Sequence, residues 1–316
     1  MTSATADGGA GPSGITERVL ASFAGCPDPR LREIMHSLVG HLHAFVRETG
    51  LSEEEWGDGI RFLTAAGQAC DERRQELVLL SDTLGVSMLV DALSHDSAPE
   101  EATESTVLGP FWAPGAPLRR YGESIAVRPA GQPAWVHGRV TDLHGSPVAG
   151  AELDVWQNGE DRLYAVQDAS APEDHLRGRY LARDDGSYAF LGVRPTDYTV
   201  PDDGPVGRML AASGRHPWRP AHVHMRVSAQ GFRPLTTHLF DSESRYLGDD
   251  TVFAVKGSLV RRFVRRSRDD PDRPPGVDGP WFSVDNDIAL APAPAAATAP
   301  GDLQPHRHDH PKEEMR

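Results

Sequence analysis

The chain of 316 residues carries two cysteines, Cys26 and Cys70. That is too few, and too scattered, for a disulfide framework or a cysteine-built metal site. No apolar run approaches the roughly 20 residues of a membrane span. Positive charge is in deficit: 32 Lys and Arg against 46 Asp and Glu leave a net charge of −14. That balance argues against nucleic acid or an anionic membrane as partner. Met1 to Gly14 shows no basic segment followed by an apolar stretch, so no secretory signal is expected. These absences together predict a reduced, cytoplasmic protein. Hydrophobic residues make up 39% and charged residues 25%, which predicts a packed core in one large domain or two modest ones.

Residues 1–14 are small and polar and read as a flexible tail. Residues 15–105 read as a helical domain. Leu31, Ile34, Met35, Leu38, Leu42, Phe45 and Val46 recur at spacings of three and four, the period of one helix face. Ser52 with Glu55 forms a capping box before another helix. Asp71 to Asp91, with Leu77, Leu80, Leu84, Met88 and Leu89, predicts one further helix. His36, His41 and His43 in this region read as solvated or packing side chains.

From Val107 the character changes to short β-type runs punctuated by Pro and Gly. Trp135–Val140, Ala151–Trp156, Tyr188–Phe190 and Val223–Val227 are strand candidates, with a turn at His144–Pro147. The expectation is an α+β protein whose residues 106–290 form an antiparallel β-sandwich. Arg261 to Arg273 reads as a solvated surface segment. Residues 291–316 read as a disordered Ala/Pro-rich tail, the histidines at 306, 308 and 310 included.

The sharpest local feature is Arg219-Pro220-Ala221-His222-Val223-His224. In a strand, residues i and i+2 project from one face, so His222 and His224 are placed to share a metal. By itself the pair is equally consistent with zinc, copper or no metal.

Upstream lie Tyr164, in Gly159–Gln167, and Tyr198, in Pro195–Gly207. Tyrosine, tyrosine, then R-P-x-H-x-H, with Glu104-Ser105-Thr106-Val107-Leu108-Gly109-Pro110-Phe111-Trp112 at the helical–β junction, closely resembles the intradiol ring-cleavage dioxygenases. The resemblance covers residues 15 to 290 and lies with the hydroxyquinol and catechol 1,2-dioxygenase branch. It implies one non-haem Fe(III) per subunit, held by Tyr164, Tyr198, His222 and His224. Phenolate and imidazole are hard ligands suited to ferric iron, and two phenolates with a hydroxide balance its charge. It implies that Tyr198 is released when an ortho-diphenol binds and takes a substrate proton. Arg219 then stabilises negative charge on the ring. His238 stands where catechol-cleaving members carry glutamine; it is expected to orient a ligand or the substrate. Tyr180, Tyr188 and Tyr246 keep structural roles.

The resemblance also places the substrate pocket. Leu79 and Asp82 form one wall, Val107, Leu108, Gly109, Pro110 and Phe111 another, and Val200, Pro201 and Val252 complete it. An aspartate there suits a third ring hydroxyl. Hydroxyquinol cleavage with O2 to 3-hydroxy-cis,cis-muconate is therefore the first expectation, and catechol cleavage the second. A third, of another class, is a non-catalytic transthyretin-like binding module, which Val136–Trp156 also resembles. The helical segment resembles the family's dimerisation domain, which implies a homodimer and an interface able to hold a lipid-like molecule.

Overall fold

The computed structural model describes residues 12–71 and 74–293. The chain divides into two compact units, the first ending at Ala65 and the second beginning at Ala66.

The first unit holds α1 (Pro12–Ser22), α2 (Pro29–Thr49) and most of α3 (Glu53–Gln68). Asp28 caps α2 by accepting from the amides of Arg30 and Leu31 at 2.8 and 3.1 Å, which satisfies two of the donors a helix start leaves open. The expected capping box forms: the Ser52 amide donates to Glu55 at 2.8 Å, and the Glu55 amide to the Ser52 hydroxyl at 3.2 Å. α2 buries no residue, and its stripe from Leu31 to Val46 is exposed in the single chain. Residues 12–14, expected in the tail, begin α1. The rest of that tail and residues 294–316 lie outside the described residues.

The second unit opens with α4 (Glu76–Thr83) and α5 (Val86–His95). The single helix expected over Asp71–Asp91 is two, bent by 72°. Gly85 makes the break, in the left-handed region at φ +73°, where a side chain is disfavoured. These two helices, expected with the dimerisation segment, belong to the compact body of the sandwich. Arg215 is one physical reason, donating from Nη1 to the Thr83 carbonyl at 2.6 Å. Among the described residues no single helix is long and apolar enough to cross a membrane.

Twelve short strands follow: β1 (Pro133–Asp142), β2 (Glu152–Gln157), β3 (Arg177–Leu181), β4 (Ser187–Val193), β5 (Tyr198–Thr199), β6 (Trp218–Arg219), β7 (His222–Ser228), β8 (Leu235–Asp241), β9 (Val260–Arg261), β10 (Val264–Arg266), β11 (Trp281–Asp285) and β12 (Ile288–Leu290). A helix, α6 (Pro205–Ala212), lies between β5 and β6. One five-stranded sheet runs β10-β11-β1-β12 with β4 also paired to β1; the other runs β3-β2-β7-β8-β9. The expected α+β sandwich is present, but its sheets are mixed rather than purely antiparallel. β11 and β12 both run parallel to β1, and β9 runs parallel to β8, because each returns through a long connection instead of a hairpin.

The core lies between the sheets. Val223, Met225 and Val227 of β7 meet Val136 and Val140 of β1, Phe190 of β4 and Ile288 of β12. That alternation turns the even-numbered residues of the start of β7, His222 and His224, to the other face. Tyr180 and Tyr188 sit in this core, donating to the backbone carbonyls of Glu123 and Asn286. The surface reading of Arg261–Arg273 holds except at Phe263, which is buried in the core, and Arg273 neighbours the buried Pro274.

Candidate metal centre and substrate pocket

Strand register assembles the centre. His224 of β7 is paired with Trp156 of β2 on one side and His238 of β8 on the other. Directly opposed residues share a sheet face, so all three rings project together. The Trp156 indole stacks on His224 at 4.7 Å between centroids and 11° between planes. One ring nitrogen from each of His222, His224 and His238 lies within 4.8 Å of the other two. Nε2 of His222 is 3.0 Å from Nε2 of His224. Nδ1 of His222 is held by the Pro220 carbonyl at 2.7 Å, which leaves Nε2 free to face the centre.

Tyr164 arrives from a loop and Tyr198 from the short strand β5. Tyr164, beyond β2, brings its hydroxyl to 3.1 Å from Nε2 of His224. Phe111 stacks on its ring at 4.6 Å and meets Tyr198 edge-on. Tyr198 of β5 is paired with Arg219 of β6, and Arg219 Nη1 donates to its hydroxyl at 3.2 Å. The two tyrosine rings meet edge-on, 5.3 Å between centroids. Gly109 passes close by at φ +72°; a Cβ there would stand 3.5 Å from Cε1 of His224. The contact is an ordinary one; it is the backbone angle that favours glycine.

The electrostatics suit a cation. Burial pushes all three imidazoles well below their ordinary pKa, so they stay neutral, the form a metal binds. Burial pushes the Tyr164 phenol well above its usual value and raises Tyr198 as well, although Arg219 draws Tyr198 down. Two phenolates in this enclosure therefore need a cation of high charge. Nδ1 of His224 and both ring nitrogens of His238 are buried without a hydrogen-bond partner. The donor set of two phenols and two or three neutral imidazoles, without thiolate, fits a hard transition-metal ion.

The substrate wall is built differently. A cavity of about 610 Å³ is lined by Leu79, Pro110, Phe111, Val200 and Pro201 of the expected set, a size suited to a small aromatic ligand. Val107, Val252 and Asp82 are buried but outside its lining, Leu108 is half-exposed, and Gly109 lies against the histidines. Asp82 lies on α4; burial raises its carboxyl, Ser87 and Arg219 lower it, and Asp250 opposes them. The cavity also has a charged rim that sequence reasoning missed, including Arg74, Glu76, Asp161, Arg162, Asp202 and Asp203. Arg74 bonds the fully buried Glu76 at 2.9 Å and Asp203 at 3.1 Å, while Glu76 accepts from the Val206 amide. Asp250 was missed too. It pairs with Arg219 through both carboxylate oxygens, Nε at 3.1 Å and Nη2 at 3.3 Å.

Known proteins share this pattern. A family model described as Dioxygenase matches residues 107–278, and one described as Catechol dioxygenase N terminus matches residues 28–103. The hydroxyquinol 1,2-dioxygenase of Nocardioides simplex is 49% identical over 285 residues, covering 88% of this chain and 95% of that protein. The catechol 1,2-dioxygenase of Candida albicans is 40% identical, covering 88% and 91%. The crystal structure of hydroxyquinol 1,2-dioxygenase from Pseudomonas putida DLL-E4 superposes with a TM-score of 0.82 at 49% identity, covering 89% of this chain and 99% of that one. The chain thus belongs to the intradiol ring-cleavage dioxygenases, an enzyme family, and not to the non-catalytic binding modules whose strand-turn-strand it shares.

Proposed function

We propose that this chain cleaves hydroxyquinol, 1,2,4-trihydroxybenzene, with O2 between its adjacent hydroxyl-bearing carbons. The product is 3-hydroxy-cis,cis-muconate, the enol form of maleylacetate. The observation that carries the reading is the approach of the Tyr164 hydroxyl and the His222 and His224 Nε2 atoms to 3.0–3.1 Å in a buried pocket. Relatives at 45–49% identity bear the name hydroxyquinol 1,2-dioxygenase, which supports this substrate over catechol. Catechol is the second reading, supported by the Candida relative.

Tyr164, Tyr198, His222 and His224 would hold ferric iron. When bound, the ion would supply Lewis acidity and one-electron access to the ring, which open it to dioxygen. Tyr198 takes a substrate proton at its Oη; the adjacent Arg219 guanidinium stabilises its phenolate form beforehand and offsets negative charge on the ring. His238 stands beside His222 and His224 and orients what they hold. Leu79, Pro110, Phe111, Val200 and Pro201 enclose the ring, with Val107, Leu108, Gly109 and Val252 behind them. Asp82, buried on α4 beside Ser87, accepts a hydrogen bond from the third hydroxyl through its remaining acceptor capacity.

Two copies pair through the exposed stripe of α2, the surface that would also hold a lipid-like molecule. A reducing, cytoplasmic setting fits the free Cys26 and Cys70. Iron-loaded protein is expected to be red through phenolate-to-iron charge transfer, with about one iron per subunit, and Tyr164→Phe is expected to bleach it. A colourless preparation that takes up no added ferric iron would contradict the assignment.

A further inference from the structure

We propose that Asp250 is a positioning residue that aims Arg219 at Tyr198. The inference rests on the reading of Tyr198 and Arg219 given above, and deepens it. Arg219 and Asp250 are both almost wholly buried, so the guanidinium has no water to lean on. Its Nε and Nη2 are taken up by the two oxygens of Asp250. That fork fixes the plane of the group and leaves Nη1 directed at the Tyr198 hydroxyl, 3.2 Å away, and at His222 Nε2, 3.4 Å away.

The carboxylate is itself fixed. Its Oδ1 accepts from the Val252 amide at 3.2 Å and its Oδ2 from the Ala254 amide at 3.1 Å. Both amides can converge because Phe253 between them adopts φ +60°, a conformation that a non-glycine residue holds only against steric cost. The Phe253 amide closes the turn on the Asp250 carbonyl at 3.0 Å. Arg215 Nη2 then bonds the Thr251 carbonyl at 2.7 Å while its Nη1 holds Thr83 at the end of α4. The strained turn therefore joins the substrate-facing helix to the aim of Arg219. An isolated buried arginine needs a counter-ion, but not one with this geometry; the fork and its two amides go beyond charge balance.

The test combines Asp250→Asn, Asp250→Glu, Arg219→Met and the Arg219→Met/Asp250→Asn double variant in iron-loaded protein. Asp250→Asn is expected to lower kcat about 10- to 100-fold with KM within about threefold, and to shift the visible tyrosinate band, as loss of an outer partner does. Asp250→Glu keeps the charge but moves the fork; it is expected to show a smaller kcat loss with the same band shift, and it carries the test if Asp250→Asn does not fold. In the Arg219→Met background, Asp250→Asn is expected to cost less than about twofold more, since the two residues act as a unit. Wild-type kcat and band in either single variant, or equal losses in both backgrounds, would overturn the proposal. In iron-free protein the Arg219 Nε–H resonance is expected to resist solvent exchange and to lose that protection in Asp250→Asn; unchanged protection would overturn it as well. A wild type that never develops the band would count against the iron assignment instead, and the exchange measurement would still judge the fork.

Discussion

The two walls of the site are made of different materials. The wall proposed to hold the metal is largely strand: Trp156, His224 and His238 stand abreast across three hydrogen-bonded strands, and Tyr198 is paired with Arg219 in a fourth and fifth. The substrate wall is the short helix α4 and the loops around residues 110 and 200, tied by side-chain bonds from Arg74 and Arg215. Backbone register fixes the first as a whole, so its donors stand or fall together. The second is held by separable ties, so its properties are expected to change by degrees.

The sharpest way to break the comparison is at the metal wall. His224→Ala removes the ring that touches Trp156, His222 and Tyr164 at once. Iron content and ring cleavage are both expected to fall below detection, while circular dichroism keeps the sandwich signature. Metal analysis and oxygen uptake check this, and a variant that still cleaves the ring would place the metal elsewhere.

A smaller, selective effect is expected on the other wall. Asp82→Ala should reduce kcat/KM for hydroxyquinol by about 100-fold and for catechol by less than about threefold, because only the former presents a hydroxyl to pair. Equal losses would make Asp82 a support for Arg219 and the α4–α5 bend. Asp82 lies three residues past the cavity-lining Leu79 on α4 and feels the charge of Arg219, so the two outcomes separate a substrate contact from a support.

The smallest effect belongs to the rim. Arg74 holds the Asp203 carboxyl below its usual range through a hydrogen bond and its charge. A carboxyl depressed in the folded state stabilises the fold above its unfolded pKa, and the contribution is lost as pH falls through the acidic range. Asp203→Asn is therefore expected to lower the thermal midpoint by a few degrees at neutral pH and to flatten part of its acid dependence. Asp203 is largely exposed, which keeps the effect small. Thermal melts at several pH values read it, and parallel curves for wild type and variant would remove Asp203 from the tether.

What could be read from sequence follows the same division. His222 and His224 lie two apart in one short segment, so strand periodicity alone suggests their common face, whereas Arg219 is assigned through the family resemblance. Tyr164 and Tyr198 came only through the family resemblance, because no local period links a loop tyrosine to a distant strand. His238 was noticed for its departure from a pattern; that it stands opposite His224 depends on the register of β7 with β8. Asp250 was illegible. Asp249 and Asp250 are adjacent and alike, yet Asp249 is exposed beside His216 while Asp250 turns inward to Arg219. The difference comes from the turn at Phe253, which no residue type announces. The helix expected over Asp71–Asp91 failed for a similar reason: apolar spacing continues across Gly85, but the backbone does not.

The proposed function joins a metal site suited to ferric iron with a pocket selecting a three-hydroxyl ring. The most direct test is the ratio of kcat/KM for 1,2,4-trihydroxybenzene to that for catechol, measured by oxygen uptake on iron-loaded protein with the muconate product identified. A ratio of at least about 100 in favour of hydroxyquinol is expected. A ratio at or below one would contradict it and give the pocket to catechol.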